Sequence, residues 1–219
     1  MRPACTLSPV TQRKAILLPV NAGWCGSILS NAAWDISGPR RSPHGPEDKV
    51  MRWVTLEDVA NTRMISGWLI KRFIDPEATF AFVPKGTDPA TIEGNAFHVD
   101  GAGLSPKEGP LSRTYQVILD EYHLLEKNPP AFRELIDIYA AGSKNWLRFR
   151  NEPAIPLREL LPPDAPPESG GLVTALLGIR LTTTDDQERL RLAATVFDLF
   201  YNALRIRAER AANERSVPR

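Results

Sequence analysis

The C-terminal stretch constrains the fold most. Leu190, Ala194, Phe197, Tyr201, Leu204 and Ala208 recur at helical spacing on one face, and the run opens with the capping-box pattern Thr184-Asp-Asp-Gln187. A helix of this length with an apolar face must be covered by other elements, so the chain has to bring further helices onto it. The hydrophobic share of 42% supplies the residues to do so. Charge points nowhere in particular: 27 Lys+Arg against 26 Asp+Glu leave +1, which excludes a dispersed polybasic surface, so neither direct nucleic-acid binding nor a membrane partner is expected. The two cysteines, Cys5 and Cys25, are too few for a disulfide framework or a four-thiolate zinc site.

Twenty prolines divide the rest of the chain. Residues 1–50 hold no sustained period, and Ser37-Gly-Pro-Arg-Arg-Ser-Pro-His-Gly-Pro46 reads as a linker. An apolar run over residues 15–29 follows Arg13 and Lys14 like a secretory leader, but Pro19, Asn21 and Gly23 interrupt it. We expect residues 1–50 to be a disordered or poorly structured extension with Met51 a natural start, residues 51–208 to form the folded domain, and residues 209–219 to be a frayed, charged tail.

Within that domain the pattern predicts an α+β fold, predominantly helical with a small sheet in its N-terminal part. Strand-like runs occupy the segment from Met51, residues 79–84 and residues 95–100. Ile65, Trp68, Leu69 and Phe73 predict a helix over residues 63–74, with Thr62 or Asn61 as its cap and Asp75-Pro76 as its end. Further helices are expected over residues 112–127, then 131–141 with Gly142 as the C-terminal cap, a short one within 153–161, and one over 171–179. Between the last two, the proline cluster 162–167 reads as an extended spacer.

Chemistry is sparse. His44, His98 and His123 show no paired spacing for a metal, and Gly101-Ala-Gly103 lacks the third glycine of a phosphate loop. Asp120 and Glu121 diverge by about 100° on a helix, and Asp185 and Asp186 fit the first turn of one. A carboxylate-rich site for Mn or Fe could be drawn from His98, Asp75, Asp120, Glu121 and Asp186, which would make the chain a metal-dependent enzyme. The alternative is concentrated in one short helix, where Arg63, Lys71 and Arg72 lie with Trp68 and Asp75 and could hold a tetrahedral oxyanion. Lys71 and Arg72 also fit the polar face of an amphipathic helix with Trp68 packed inward, and spacing alone favours that plainer reading. Phe197, Phe200 and Tyr201 could in turn form a homodimer seam on the terminal helix, although core packing explains them more simply.

Met51-Arg-Trp-Val-Thr, followed by Arg63-Met-Ile-Ser-Gly-Trp-Leu-Ile-Lys-Arg-Phe-Ile-Asp-Pro-Glu-Ala78 and Phe80-Ala-Phe-Val-Pro84, resembles the opening of the chromate-resistance (ChrB-type) domain family. The likeness continues more loosely through Thr114-Tyr-Gln-Val-Ile-Leu-Asp-Glu-Tyr122 and the helix after Thr184. It implies a bacterial protein connected with chromate resistance, either limiting chromate accumulation or sensing it to control an efflux transporter, and we expect a cytoplasmic, non-enzymatic domain, with the metal-dependent enzyme as the alternative. The chain looks like the isolated C-terminal unit of longer family members. Carried across by position, Arg63, Trp68, Lys71, Arg72 and Asp75 match the family motif, Lys71 standing where Arg is usual. Ser66-Gly67 replaces a typical Cys-Pro, Arg113 a Cys, and Gln187 a His. Those departures remove thiol and imidazole groups that would ligate a transition metal or reduce chromate, leaving either a scaffold that has lost its site or an anion site made of Arg and Lys with no cofactor.

Overall fold

A computed structural model describes residues 52–152 and 154–216. The upstream extension, its linker, Cys5, Cys25, His44 and the Met51 start lie outside the described residues. β1 (Arg52–Leu56) lies between β2 (Thr79–Val83) and β3 (Asn95–Ala96), all parallel, with Trp53 level with Phe80 on one side and Asn95 on the other. Helices supply the rest, so the α+β class with its small N-terminal sheet holds. They are α1 (Asn61–Leu69), α2 (Thr114–Glu121), α3 (Leu124–Lys127), α4 (Pro130–Ser143), α5 (Trp146–Asn151), α6 (Leu157–Leu160), α7 (Glu168–Thr182) and α8 (Asp186–Ser216). Among the described residues no helix is long and apolar enough to cross a membrane.

Several boundaries differ from the sequence pattern, each for a local reason. α1 passes into a π-helical turn at Ile70–Ile74, closed by the Asp75 N–H donating to the Ile70 carbonyl at 2.8 Å. Its N-cap is Ala60, without a side-chain bond, and not Asn61 or Thr62. β3 stops after two residues because His98 turns into the left-handed region at φ 56°, although the Phe97 N–H still reaches the Val54 carbonyl at 2.9 Å. His123, at φ 53°, likewise splits the helix expected over 112–127 into α2 and α3. At the start of α8, Asp185 caps by accepting the Glu188 N–H at 2.9 Å, displacing the Thr184-to-Gln187 box. α8 then stays helical and exposed through residues 209–215, α5 was not anticipated, and α7 is longer than its apolar stretch.

The core forms where α8 meets α1 and α4. Trp68, 1% exposed, stacks on Phe197 at 5.3 Å and on Phe132 at 6.2 Å, and meets Phe73 and Tyr201 edge to face. Phe197 and Tyr201 are therefore core residues and Phe200 packs partly buried against the same core, so core packing accounts for the three residues of the expected seam. Gly142 is not a terminal cap: it lies inside α4, where an added Cβ would come within 2.7 Å of the Ser169 carbonyl oxygen on α7. Small size at this crossing lets the two helices approach.

The glycines of α4 and α7 should thus respond in opposite directions. Gly142→Ala is expected to destabilise by about 1–3 kcal/mol through overpacking against backbone. Gly171→Ala, where nothing lies within 4 Å, should stabilise α7 by up to about 1 kcal/mol. Urea unfolding of the two variants measures both signs.

Candidate functional site

Because the three strands run parallel, their carboxyl ends share one edge, which is where parallel sheets place their ligand crevices. The loop leaving β1 is fixed there by α8. Both oxygens of Asp186 accept loop amides, Asp58 N–H at 2.8 Å and Val59 N–H at 2.7 Å. Arg189, 5% exposed, donates to Asp186 at 3.1 Å, to the Asp58 carboxylate at 2.8 Å and to the Thr183 carbonyl at 2.8 Å. Arg180 from the end of α7 takes the other Asp58 oxygen at 2.6 Å. The Arg180 hydrogen bond, with Arg189 adding to it, holds the Asp58 carboxyl below its usual range. The loop can then keep Asp58 at φ 58°, a conformation that Asp tolerates better than most residues.

Arg63, one turn into α1, is bonded differently. Its guanidinium donates to the backbone carbonyls of Asp58 and Glu57, and among the described residues no carboxylate lies within ion-pair distance of it. Burial pulls its pKa down, opposed by the charges of Asp58 and Asp186, yet guanidinium remains protonated at neutral pH. Its Nε is buried without a partner, as are Ser66 Oγ one turn further along α1, Thr55 Oγ1 near the end of β1, and His98 Nδ1 after β3. Asn61 Oδ1 at the start of α1 is a fifth, and since buried polar atoms are normally satisfied, five orphans on these three segments call for an explanation. His98 is held neutral: burial first, then the Arg63 charge, lowers its pKa to about 3, against a smaller raising effect of the Leu111 carbonyl.

The other residues singled out in sequence do not converge on Arg63. Lys71 lies about 12 Å further along the helix axis, donating to the Ala78 carbonyl at 3.0 Å. Asp75 accepts the Trp53 indole N–H at 2.9 Å. Asp198 accepts the Trp68 indole N–H at 3.0 Å and pairs with a half-exposed Arg72 at 3.7 Å. The carboxylate set for Mn or Fe is likewise dispersed. Asp120 and Glu121 are exposed on α2, Asp75 serves Trp53, and Asp186 serves the β1 loop, leaving His98 without a co-ligand; among the described residues no three His, Cys, Asp or Glu side chains are grouped to hold a metal. Conversely, Asp58, Arg180 and Arg189 were missed. In sequence they are ordinary surface charges, and only the contact between the β1 loop and the α7–α8 junction gives them a role.

A cleft of about 610 Å³ opens beside this network, with Glu57, Asp58, Asp185 and Asp186 in its walls. Arg189 also lines it and Arg63 does not.

The buried neutral imidazole carries a pH signature. Its folded pKa lies below the unfolded value near 6.5, so the unfolded chain binds the extra proton first. The stability due to neutral His98 is complete above about pH 6.5 and falls as the pH drops toward 3. Between pH 6.5 and 4.5, before most carboxylates titrate, the unfolding free energy of the wild type should fall more steeply than that of His98→Gln. Denaturant titrations at a series of pH values compare the slopes, and equal slopes would remove His98 as the cause.

Residues 53–145, somewhat under half of the chain, match the family model described as ChrB, C-terminal domain. No curated protein and no solved structure gives a match. The matched span runs from the central strand through α4 and includes Asp58, Arg63, Ser66 and His98, while Arg180, Asp186 and Arg189 fall beyond it. With the β1–α1 motif and this span in agreement, residues 53–145 belong to the ChrB C-terminal domain family, which is related to chromate resistance.

Proposed function

We propose that this domain serves chromate resistance by binding a small tetrahedral oxyanion, chromate by preference, at the carboxyl end of its sheet, with Arg63 as the cation. One observation carries the reading: Arg63 is a half-buried guanidinium bonded only to carbonyls, and its buried Nε lacks a partner, as do the buried hydroxyls of Ser66, one turn along α1, and of Thr55 on β1. An oxyanion supplies what such donors lack. Charge-assisted bonds from guanidinium N–H and hydroxyl groups to its oxygens would satisfy the orphans and neutralise the charge together. Neutral His98 suits the arrangement, since a lone pair or a single N–H disturbs a bound anion less than a second unpaired cation would disturb the empty site. Among the described residues the side chains offer hydroxyl and imidazole here and no thiol, which supports binding or sensing over reduction of the anion.

Lys71, Arg72, Trp68 and Asp75 drop out of the ligand set in this reading. They brace α1 and the core through Ala78, Asp198 and Trp53.

Untagged full-length chain, titrated with chromate, sulfate and molybdate at constant ionic strength, tests the proposal. At a ligand concentration near 100 Kd the stabilisation is about 2.7 kcal/mol, which for a chain of this size raises Tm by roughly 5–10 °C. Arg63→Ala should abolish the shift and Arg72→Ala should retain it. An unchanged midpoint at millimolar concentrations of all three anions, or a shift that survives Arg63→Ala, contradicts the assignment.

A further inference from the structure

β2 is an edge strand. The sheet order β2-β1-β3 gives it one neighbour, and among the described residues no other strand or backbone group bonds to its far side. The ladder shows which groups face that way. The Glu57 N–H donates to the Val83 carbonyl at 2.9 Å, so Val83 turns its backbone groups toward β1, as do Ala81 and Thr79 by the alternation of a strand. Phe80 and Phe82 therefore each point an N–H and a carbonyl away from the sheet. The strand, Thr-Phe-Ala-Phe-Val, carries no charge and no proline, the usual means of blunting an exposed edge. Both ends of the free edge are closed, however. The Ala78 carbonyl accepts the Lys71 ammonium at 3.0 Å, and Pro84 has no N–H to offer.

We propose that β2 pairs antiparallel with β2 of a second copy of the chain, about a two-fold axis at Ala81, joining the two sheets into one. The free groups set the register. In an antiparallel pair, residues that exchange both bonds lie directly opposite each other. Setting Phe80 opposite Phe82 of the second copy does this on either side of the axis and leaves none of those groups unpaired. A slip of two residues one way puts Phe82 against Ala78, whose carbonyl is taken, and the other way puts Phe80 against Pro84, which has no donor. The same register brings Glu77 level with Lys85 of the second copy, and Lys85 level with its Glu77. Both residues are exposed, and neither side chain enters an ion pair within the described residues. Of the other charges there, Lys71 is held by the Ala78 carbonyl and Asp75 by the Trp53 indole, while Arg52 and Glu57 stand one strand back from the seam. An edge whose free backbone groups and flanking charges both complement themselves fits a second copy of itself. Because each chain uses the same edge, the pairing closes at two and leaves only the two-residue β3 at the outer margins.

Sedimentation equilibrium on the full chain, over micromolar to hundred-micromolar concentrations, should give a monomer–dimer equilibrium. Glu77→Lys and Lys85→Glu should each weaken it roughly tenfold, since each turns two attractive pairs repulsive, and the double reversal should restore it. Both positions are exposed, so all three variants should keep the far-UV spectrum of the wild type. Cross-linking reads the register in a chain with Cys5 and Cys25 changed to Ser. Ala81→Cys should form a disulfide with its own copy under mild oxidation, because the two Cα atoms at the axis lie about 4.5 Å apart. Thr79→Cys should not, its copies being on the order of 13 Å apart along the strands. A monomer throughout overturns the proposal, whether the edge is bare or covered by residues 1–51. A dimer indifferent to both charge reversals, or one that Thr79→Cys cross-links as readily as Ala81→Cys, overturns it as well.

Discussion

The grip of α8 on the loop after the central strand organises the rest of the structure. One carboxylate, Asp186, receives two consecutive loop amides, and one guanidinium, Arg189, ties that carboxylate to the side chain of the same loop. Charges this well enclosed are kept only when paired and hydrogen-bonded, and removing one partner of such a pair commonly costs about 3–5 kcal/mol. The contact joins residues some 130 positions apart. It thereby closes the βα unit at one end of the chain against the helical pair at the other.

The consequence for chemistry follows from a mismatch in pairing. Arg180 and Arg189 are satisfied by Asp58 and Asp186, so their charges are spent within the protein. Arg63 is left to carbonyl oxygens with its Nε unpartnered, and its charge adds to the burial that keeps His98 neutral. An arrangement satisfied throughout would be better for stability alone. Under the proposed function, an anion at the carboxyl edge of the sheet would supply the missing partner of Arg63. The aromatic stack of Trp68, Phe132 and Phe197 holds α1 rigid against α4 and α8 behind this edge, so the site is mounted on a packed scaffold.

What could be read in sequence was what depends on local period. The apolar face of α8, the body of α1 and the strands around Trp53 and Phe80 are set by side chains a few positions apart, and the pattern located them. His98 and His123 broke predicted elements by entering left-handed geometry, which nothing nearby in sequence signals for a non-glycine residue. Gly142, taken for a terminator, is there because another helix crosses it. The same division holds at the site. Arg63 stood out as one of several cations in a short helix, but which of them paired with a carboxylate depended on where Asp58, Asp75 and Asp198 fell in space, and of the three only Arg72 did.

Amide hydrogen exchange of the β1–α1 loop tests the central claim most directly. If Asp186 holds the loop as described, the N–H groups of Asp58 and Val59 exchange as slowly as those of β1, although Asp58 lies at the surface, and the protection disappears in Asp186→Ala while the strand amides stay protected. Exchange of the two loop amides at the rate of an open loop in the wild-type chain would contradict the account.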